Sequence, residues 1–203
     1  MNVRGIFPNY YGLFRKEGKT MKLMFISDIH GSLYWLQLAL EKFRQEKADR
    51  LVLLGDYMYH GPRNPLPEGY NPAEVAAMLN QYKSHIAVSV RGNCDAEVDQ
   101  MLLDFPMMGD YALLYHEGRR IYITHGHGFS IGNLPPLEAG DVFIQGHTHI
   151  PVADVENGVF VLNPGSIALP KENYPSSYGV LEGAQFTVKD FDGSTVKAIT
   201  FSK

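Results

Sequence analysis

The sequence predicts an α/β (α+β) domain of two stacked, mixed β-sheets with helices on the outside. Three observations point there. Residues 21–90 alternate short apolar runs with helical patterns in a βαβαβ order, which implies parallel strands. Residues 111–201 carry a series of short strand patterns separated by turn signals. The chain has 203 residues, 45% hydrophobic and 20% charged, a globular balance with enough length to bury one sizeable core.

The elements follow in order. Leu23-Met24-Phe25-Ile26 is wholly apolar, as a strand buried on both faces requires. Ser32 can cap the next helix, in which Leu33, Leu36, Leu40 and Phe43 keep helical spacing. Leu51–Leu54 is a second buried strand. Asn71-Pro72-Ala73-Glu74 reads as a helix start: a cap, a proline in the first turn, then an acid. Ile86–Val90 is the third strand. In the second half, Tyr111–Tyr115 and Arg120–Thr124 flank a turn at Glu117-Gly118. Val142–Gln145 is another strand. Val152–Val155 and Val159–Leu162 flank Asn157-Gly158, a strong hairpin signal. Strands near Tyr178–Leu181, Phe186–Lys189 and Val196–Phe201 close the chain. Residues 1–20 keep no steady period and read as an upstream extension without a secretory signal, dispensable for folding and activity. Residues 21–203 read as a single domain.

Composition narrows the function classes. A net charge of −4 argues against a general nucleic-acid coat or a basic membrane-surface protein. One cysteine allows no intrachain disulfide. No apolar run approaches the roughly 18 residues of a membrane span. A cytoplasmic protein is the expectation, and a homo-oligomer is left open.

Each apolar strand runs directly into polar residues of one chemical type. Ile26 leads to Ser27-Asp28-Ile29-His30-Gly31, and Leu54 to Gly55-Asp56. Val90 leads to Arg91-Gly92-Asn93-Cys94-Asp95. Ile123 leads to Thr124-His125-Gly126-His127, and Gln145 to Gly146-His147-Thr148-His149. Ligands in open α/β sheets bind at the carboxyl ends of strands. In extended chain, residues i and i+2 point the same way, so Asp28 with His30, and His147 with His149, are expected to face one site. Alone, Asp56 reads equally well as a turn or cap residue, and a lone buried histidine is ordinarily just hydrogen-bonded. All five segments in this order are specific. Seven oxygen and nitrogen ligands exceed the needs of one ion and suit two ions with one bridging carboxylate. Asp56, alone on a central strand end, is the natural bridge.

This set, Asp-x-His, Gly-Asp, Gly-Asn-x-Asp, His-Gly-His and Gly-His-x-His, is similar to that of the calcineurin-like metallophosphoesterases, and within them to the small bacterial phosphodiesterases. The resemblance runs from Met21 to Lys203. It implies a four-layer αββα sandwich and a centre of two divalent ions, most often manganese. It further implies that Asp28, His30 and His149 bind one ion, Asn93, His125 and His147 the second, and Asp56 both. Carboxylate, amide oxygen and imidazole without thiolate suit Mn, Fe, Zn or Ni. One departure stands out. Many relatives carry Gly-Asn-His-Asp/Glu, whose histidine helps the leaving group depart, and here that place is Cys94. A neutral thiol with an unperturbed pKa of about 8.5 is a poor acid at pH 7. Cys94 therefore reads as filler, with a direct catalytic role as the lesser reading.

Other candidates are weaker. His127 can reach the site or orient its neighbour. The long segment Tyr57–Tyr70 carries His60 and Arg63, and Arg63 can grip a phosphate as well as serve structure. Arg91 can bind phosphate or make a salt bridge. Asn163-Pro164-Gly165-Ser166 matches a stretch of the resembled family and alone reads as a turn. His85 and His116 read as structural. The expected activity is metal-dependent hydrolysis of a small phosphodiester by a metal-activated hydroxide. A phosphomonoesterase, a nucleotide pyrophosphohydrolase, and a non-catalytic scaffold like the retromer subunit of the same fold are the alternatives. A complete ligand set favours an enzyme over the scaffold.

Overall fold

Strand β1 (Lys22–Ile26) lies at the centre of one sheet because every residue from Leu23 to Ile26 is buried. Alternation divides those side chains between two cores. Met24 and Ile26 face helices, whereas Leu23 and Phe25 face a second sheet. Strand β2 (Arg50–Leu53) divides its residues the same way. The computed structural model describes residues 20–202. The expected extension, apart from Thr20, lies outside the described residues.

Helix α1 (Leu33–Gln45) is capped by Ser32, whose hydroxyl accepts from the Trp35 N–H. It buries Leu36, Ala39, Leu40 and Phe43, each worth about 1–3 kcal/mol of apolar burial. Helix α2 (Pro72–Gln81) starts at the expected Asn71 cap and buries Val75, Ala76 and Leu79 against the same sheet face. Strand β3 (Ile86–Ser89) follows a single 3₁₀ turn. A short helix α3 (Glu97–Gln100), which no sequence signal announced, follows the Gly92–Asp95 loop.

The chain continues as β4 (Tyr111–His116), β5 (Arg119–Thr124), β6 (Val142–Ile144), β7 (Val152–Glu156), β8 (Val159–Asn163), β9 (Ser177–Glu182), β10 (Gln185–Asp190) and β11 (Thr195–Thr200). The first sheet runs β11-β10-β9-β1-β2-β3 and the second β4-β5-β6-β8-β7. Both are mixed. β1 pairs in parallel with β2 and antiparallel with β9, and β6 lies parallel to β5 and β8. The core between the sheets holds Leu23, Phe25, Val52, Ile123, Ile144 and Leu162.

The two outer layers differ. Helices cover the first sheet. The outer face of the second, with Tyr122, Phe143, Val159 and Val161, is covered by Ile131, Leu134 and Leu137. Among the described residues that segment holds no helix. Pro135 and Pro136 withdraw two N–H donors within it, so an intrahelical ladder cannot run through. His85 packs on the rings of Phe43 and Tyr82, the structural place expected of it.

Candidate metal centre

The carboxyl ends of β1, β2, β3, β5 and β6 converge where the two sheets meet. The loop after β1 is laced to the loop after β2: the His30 N–H donates to the Asp56 carbonyl (2.9 Å) and the Gly31 N–H to that of Tyr57 (2.8 Å). On the other sheet, the Gly146 N–H donates to the His125 carbonyl (2.9 Å).

These residues do not converge by extended alternation. Asp28, His30, Asp56, His147 and His149 have φ of 56°, 48°, 56°, 65° and 61°, all left-handed. The i and i+2 pairs share the site because alternate residues turn back on themselves, a correction to the extended reading. Non-glycine residues there cost on the order of 1–3 kcal/mol each and persist only where surrounding structure holds them. Glycine allows the crowding. A Cβ on Gly146 would stand 1.8 Å from Ser27 Oγ, and one on Gly92 would stand 2.0 Å from Asp56 Oδ1.

The supports are identifiable. Asp95 accepts from three backbone N–H groups, those of Asp56 (2.8 Å), Tyr57 (2.8 Å) and Gly92 (2.7 Å). Burial, then the neighbouring Asp56 charge, raise its carboxyl to about 6. Asn163, fully buried, donates to the Gly146 carbonyl (2.8 Å) and Thr148 Oγ1 (3.0 Å) and accepts from the Gly165 N–H (2.8 Å). Ser166 Oγ donates to the Asp28 carbonyl (3.0 Å). Asn163-Pro164-Gly165-Ser166 is thus the brace that joins both histidine loops to the sheets. Sequence reading registered it as a stretch matching the resembled family that alone is a turn, and Asp95 only as a motif position.

Three imidazoles are oriented by carbonyls. Nδ1 of His30 faces the Tyr59 carbonyl (2.8 Å), that of His125 the Leu54 carbonyl (2.7 Å), and that of His149 the Leu169 carbonyl. With each Nδ1 donating, each imidazole in its neutral, metal-binding form turns an Nε2 lone pair inward. His30 Nε2 and His149 Nε2 lie 3.3 Å apart. Asp28 Oδ1, fully buried and without a hydrogen-bond partner, lies 3.2 Å from His149 Nε2 and 3.7 Å from His30 Nε2. Two lone pairs and an orphaned carboxylate oxygen facing one point are mutually repulsive, and a cation there satisfies all three. The residues present therefore fit a metal ion. A second group surrounds His125 Nε2, with Asn93 Oδ1 at 3.1 Å and Asp56 Oδ2 at 3.4 Å. Asp56 Oδ2 is also 3.6 Å from His30 Nε2, so this one carboxylate touches both groups. His147 stands beside the second group, its ring centroid 5.1 Å from that of His125.

Without an ion, protons on the imidazoles balance the carboxylate charge. Burial opposes the Asp28 charge, but His149, His125 and His30 outweigh it and hold the carboxyl well below the ordinary range. Burial likewise opposes a charged His125, yet Asp56 and Asp28 raise it to about 9, so its inward Nε2 carries a proton that a bound ion would displace. Burial leads in lowering His30 and His147. Burial, then Asp56, push the Cys94 thiol up to about 12, which counts against a ready thiolate nucleophile.

A cleft of about 380 Å³ opens over the groups, lined by Asp56, Asn93, Cys94, His147 and His149 and by Arg63 and Lys171. His127 is exposed, its ring 5.6 Å from that of His125 and 6.4 Å from that of His147. Two expected substrate residues stand off the cleft lining. His60 packs between Tyr59 and Tyr70. Arg91 pairs with Asp110 (3.2 Å), the salt bridge that was its alternative reading. Lys171 lines the cleft but sits in no motif, so no sequence signal marked it.

Fold and site together define a class. The chain belongs to the calcineurin-like phosphoesterase superfamily, whose domain model matches residues 21–185. More particularly, it is similar to phosphodiesterase YfcE of Escherichia coli K12, 52% identical over 168 residues, 83% of this chain and 91% of that protein. The solved structure of the E. coli phosphoesterase YfcE overlays with a TM-score of 0.87 at 48% identity, covering 90% of this chain and all of that one. A probable metallophosphoesterase of Bacillus subtilis, YsnB, is 31% identical over 181 residues, 85% of this chain and 91% of that protein.

Proposed function

We propose that this protein hydrolyses small phosphodiesters at a two-ion centre. The observation that carries the reading is Asp56, whose one carboxylate oxygen lies 3.6 Å from His30 Nε2 and 3.4 Å from His125 Nε2, between two ligand groups. The similarity to a protein named a phosphodiesterase supports the reaction class. Asp28, His30 and His149 would hold one divalent ion, Asn93, His125 and His147 the other, and Asp56 both. Manganese is the first choice, and iron, zinc or nickel suit the same donors. Such ions, when bound, lower the pKa of water and neutralise charge on the phosphoryl oxygens.

The chain's own residues do the rest. The carbonyls of Tyr59, Leu54 and Leu169 hold three imidazoles in one tautomer, so no rotamer search precedes binding. The Cys94 N–H donates to Asp56 Oδ1 (2.8 Å) and leaves Oδ2 turned to the histidines. Burial of Asp28 and His125 keeps bulk water from competing for the donor atoms. Cys94 supplies no ready proton for the leaving oxygen, so esters that leave as weak bases are favoured. Hydrolysis of bis(p-nitrophenyl) phosphate with added Mn²⁺ tests the reading, beside a panel of monoesters, pyrophosphates and cyclic nucleotides. Turnover abolished by chelator and restored by Mn²⁺ is expected. Full turnover after exhaustive metal removal, or a monoester preference, contradicts it.

A further inference from the structure

The cleft over the centre carries charge that one phosphodiester does not use. Its described lining holds no Phe, Tyr or Trp and no large aliphatic side chain; its rings are Pro62 and the imidazoles of His147 and His149. No phenyl, phenol or indole ring is there to stack a base or aryl group. Two cations stand there instead, in a protein of net charge −4. Arg63 belongs to the wall that packs on Cys94, where a Cβ on Gly61 would lie 3.2 Å from Cys94 Sγ. Lys171 belongs to a different segment, beside His149, its backbone N–H donating to the His149 carbonyl (3.4 Å). Both side chains are exposed, and neither pairs with a described carboxylate. Among the described lining residues Asp56 is the only acid, and it faces the histidines. The volume of about 380 Å³ suits a small molecule.

We infer that Arg63 and Lys171 form a clamp for a second oxyanion of the substrate, so that the natural substrate is a small diester bearing a further phosphate or carboxylate beyond the scissile group. This rests on the phosphodiesterase reading for its reaction, while the clamp is a binding claim in its own right. Arginine presents a fork of donors that matches an oxyanion, and lysine adds a mobile point charge. Gripping from two separate segments of the lining sets the distance between the held group and the ion pair, which makes the clamp a ruler for the arm joining them.

The test uses three diesters with p-nitrophenol as the common leaving group and arms of methyl, 2-phosphoethyl and 2-carboxyethyl. With the Mn²⁺-loaded protein, kcat/KM for an oxyanion arm is expected to exceed that for methyl by about 10–100-fold, the ratio one charge-assisted contact gives. Which arm is preferred identifies the group. Arg63→Gln and Lys171→Gln are each expected to cut that preference about tenfold, and the double variant to erase it. No preference in the unmodified protein overturns the clamp. So does an equal loss on all three esters, because the two cations would then grip the scissile phosphate itself. If none of the esters is cleaved, the phosphodiesterase reading fails. The clamp is then judged by calorimetric binding of the uncleavable phosphonate analogues, where the same order supports it and equal affinities overturn it.

Discussion

Asn163→Ala removes a side chain that touches no expected ligand, yet its consequences for the centre follow from the geometry. Asn163 makes three hydrogen bonds from a fully buried position, to the Gly146 carbonyl, Thr148 Oγ1 and the Gly165 N–H. Alanine leaves the buried Gly165 N–H without a partner, whereas the Gly146 carbonyl keeps the Thr148 N–H (2.7 Å) as a donor. The cost is about 1–3 kcal/mol. Near 3 kcal/mol, Tm falls by about 6–12 °C for a domain of this size. A second effect is separable from the first. The segment Gly146–His149 carries two left-handed residues, His147 and His149, that Asn163 helps to hold. Released, they relax toward ordinary φ and their nitrogens leave the site. Loss of such an outer support costs about 10–100-fold in metal affinity. The assay is Mn²⁺ titration of phosphodiesterase activity at 15 °C, with folding checked by circular dichroism. A rightward shift of that size in the Mn²⁺ half-saturation point is expected. A folded variant with an unchanged Mn²⁺ requirement would refute the bracing role.

Further outcomes follow from the same geometry. Asp56→Asn is expected to lower activity more than any single change at Asp28, His30, Asn93, His125, His147 or His149, by more than about 100-fold, in steady-state assays at saturating Mn²⁺. Rates on substituted aryl diesters should fall steeply as leaving-group pKa rises, and Cys94→His should flatten that slope, helping the poorest leaving groups by up to about 10²–10⁴. A flat slope in the unmodified protein would assign the acid elsewhere, to His127 first. Away from the site, burial opposes ionisation of Glu46, but Lys189 (2.7 Å), Tyr178 (3.1 Å) and Lys22 outweigh it and hold its carboxyl below the ordinary value. A depressed acid stabilises above its unfolded pKa and loses that contribution as pH falls through its folded value. Glu46→Gln should therefore lower stability at pH 7 by about 1 kcal/mol, with the difference between the two proteins shrinking in thermal melts as the carboxyl protonates in acid.

The strands were readable because their chemistry is one-dimensional. Leu23–Ile26 and Leu51–Leu54 are apolar throughout, as burial on both faces demands, and Asn157-Gly158 marks its hairpin directly. The expected ligands were readable because they follow those strands at once. What stayed hidden depends on partners far along the chain. The left-handed φ of His147 and His149 is held by Asn163, and that of Asp56 by Asp95. No local pattern encodes such pairings. Helix α3 spans only four residues, too few for a period to register. The covering of the second sheet was hidden because Ile131, Leu134 and Leu137 keep near-helical spacing while the prolines between them forbid the helix.

The central claim is a pair of ions joined by Asp56, and electron paramagnetic resonance of the Mn²⁺-saturated protein tests it most directly. With stoichiometry measured on the same sample, the account predicts two Mn²⁺ per chain with the spectrum of an exchange-coupled pair, and loss of that coupling in Asp56→Asn. One ion per chain at saturation, or two ions with the spectrum of isolated Mn²⁺, would contradict it.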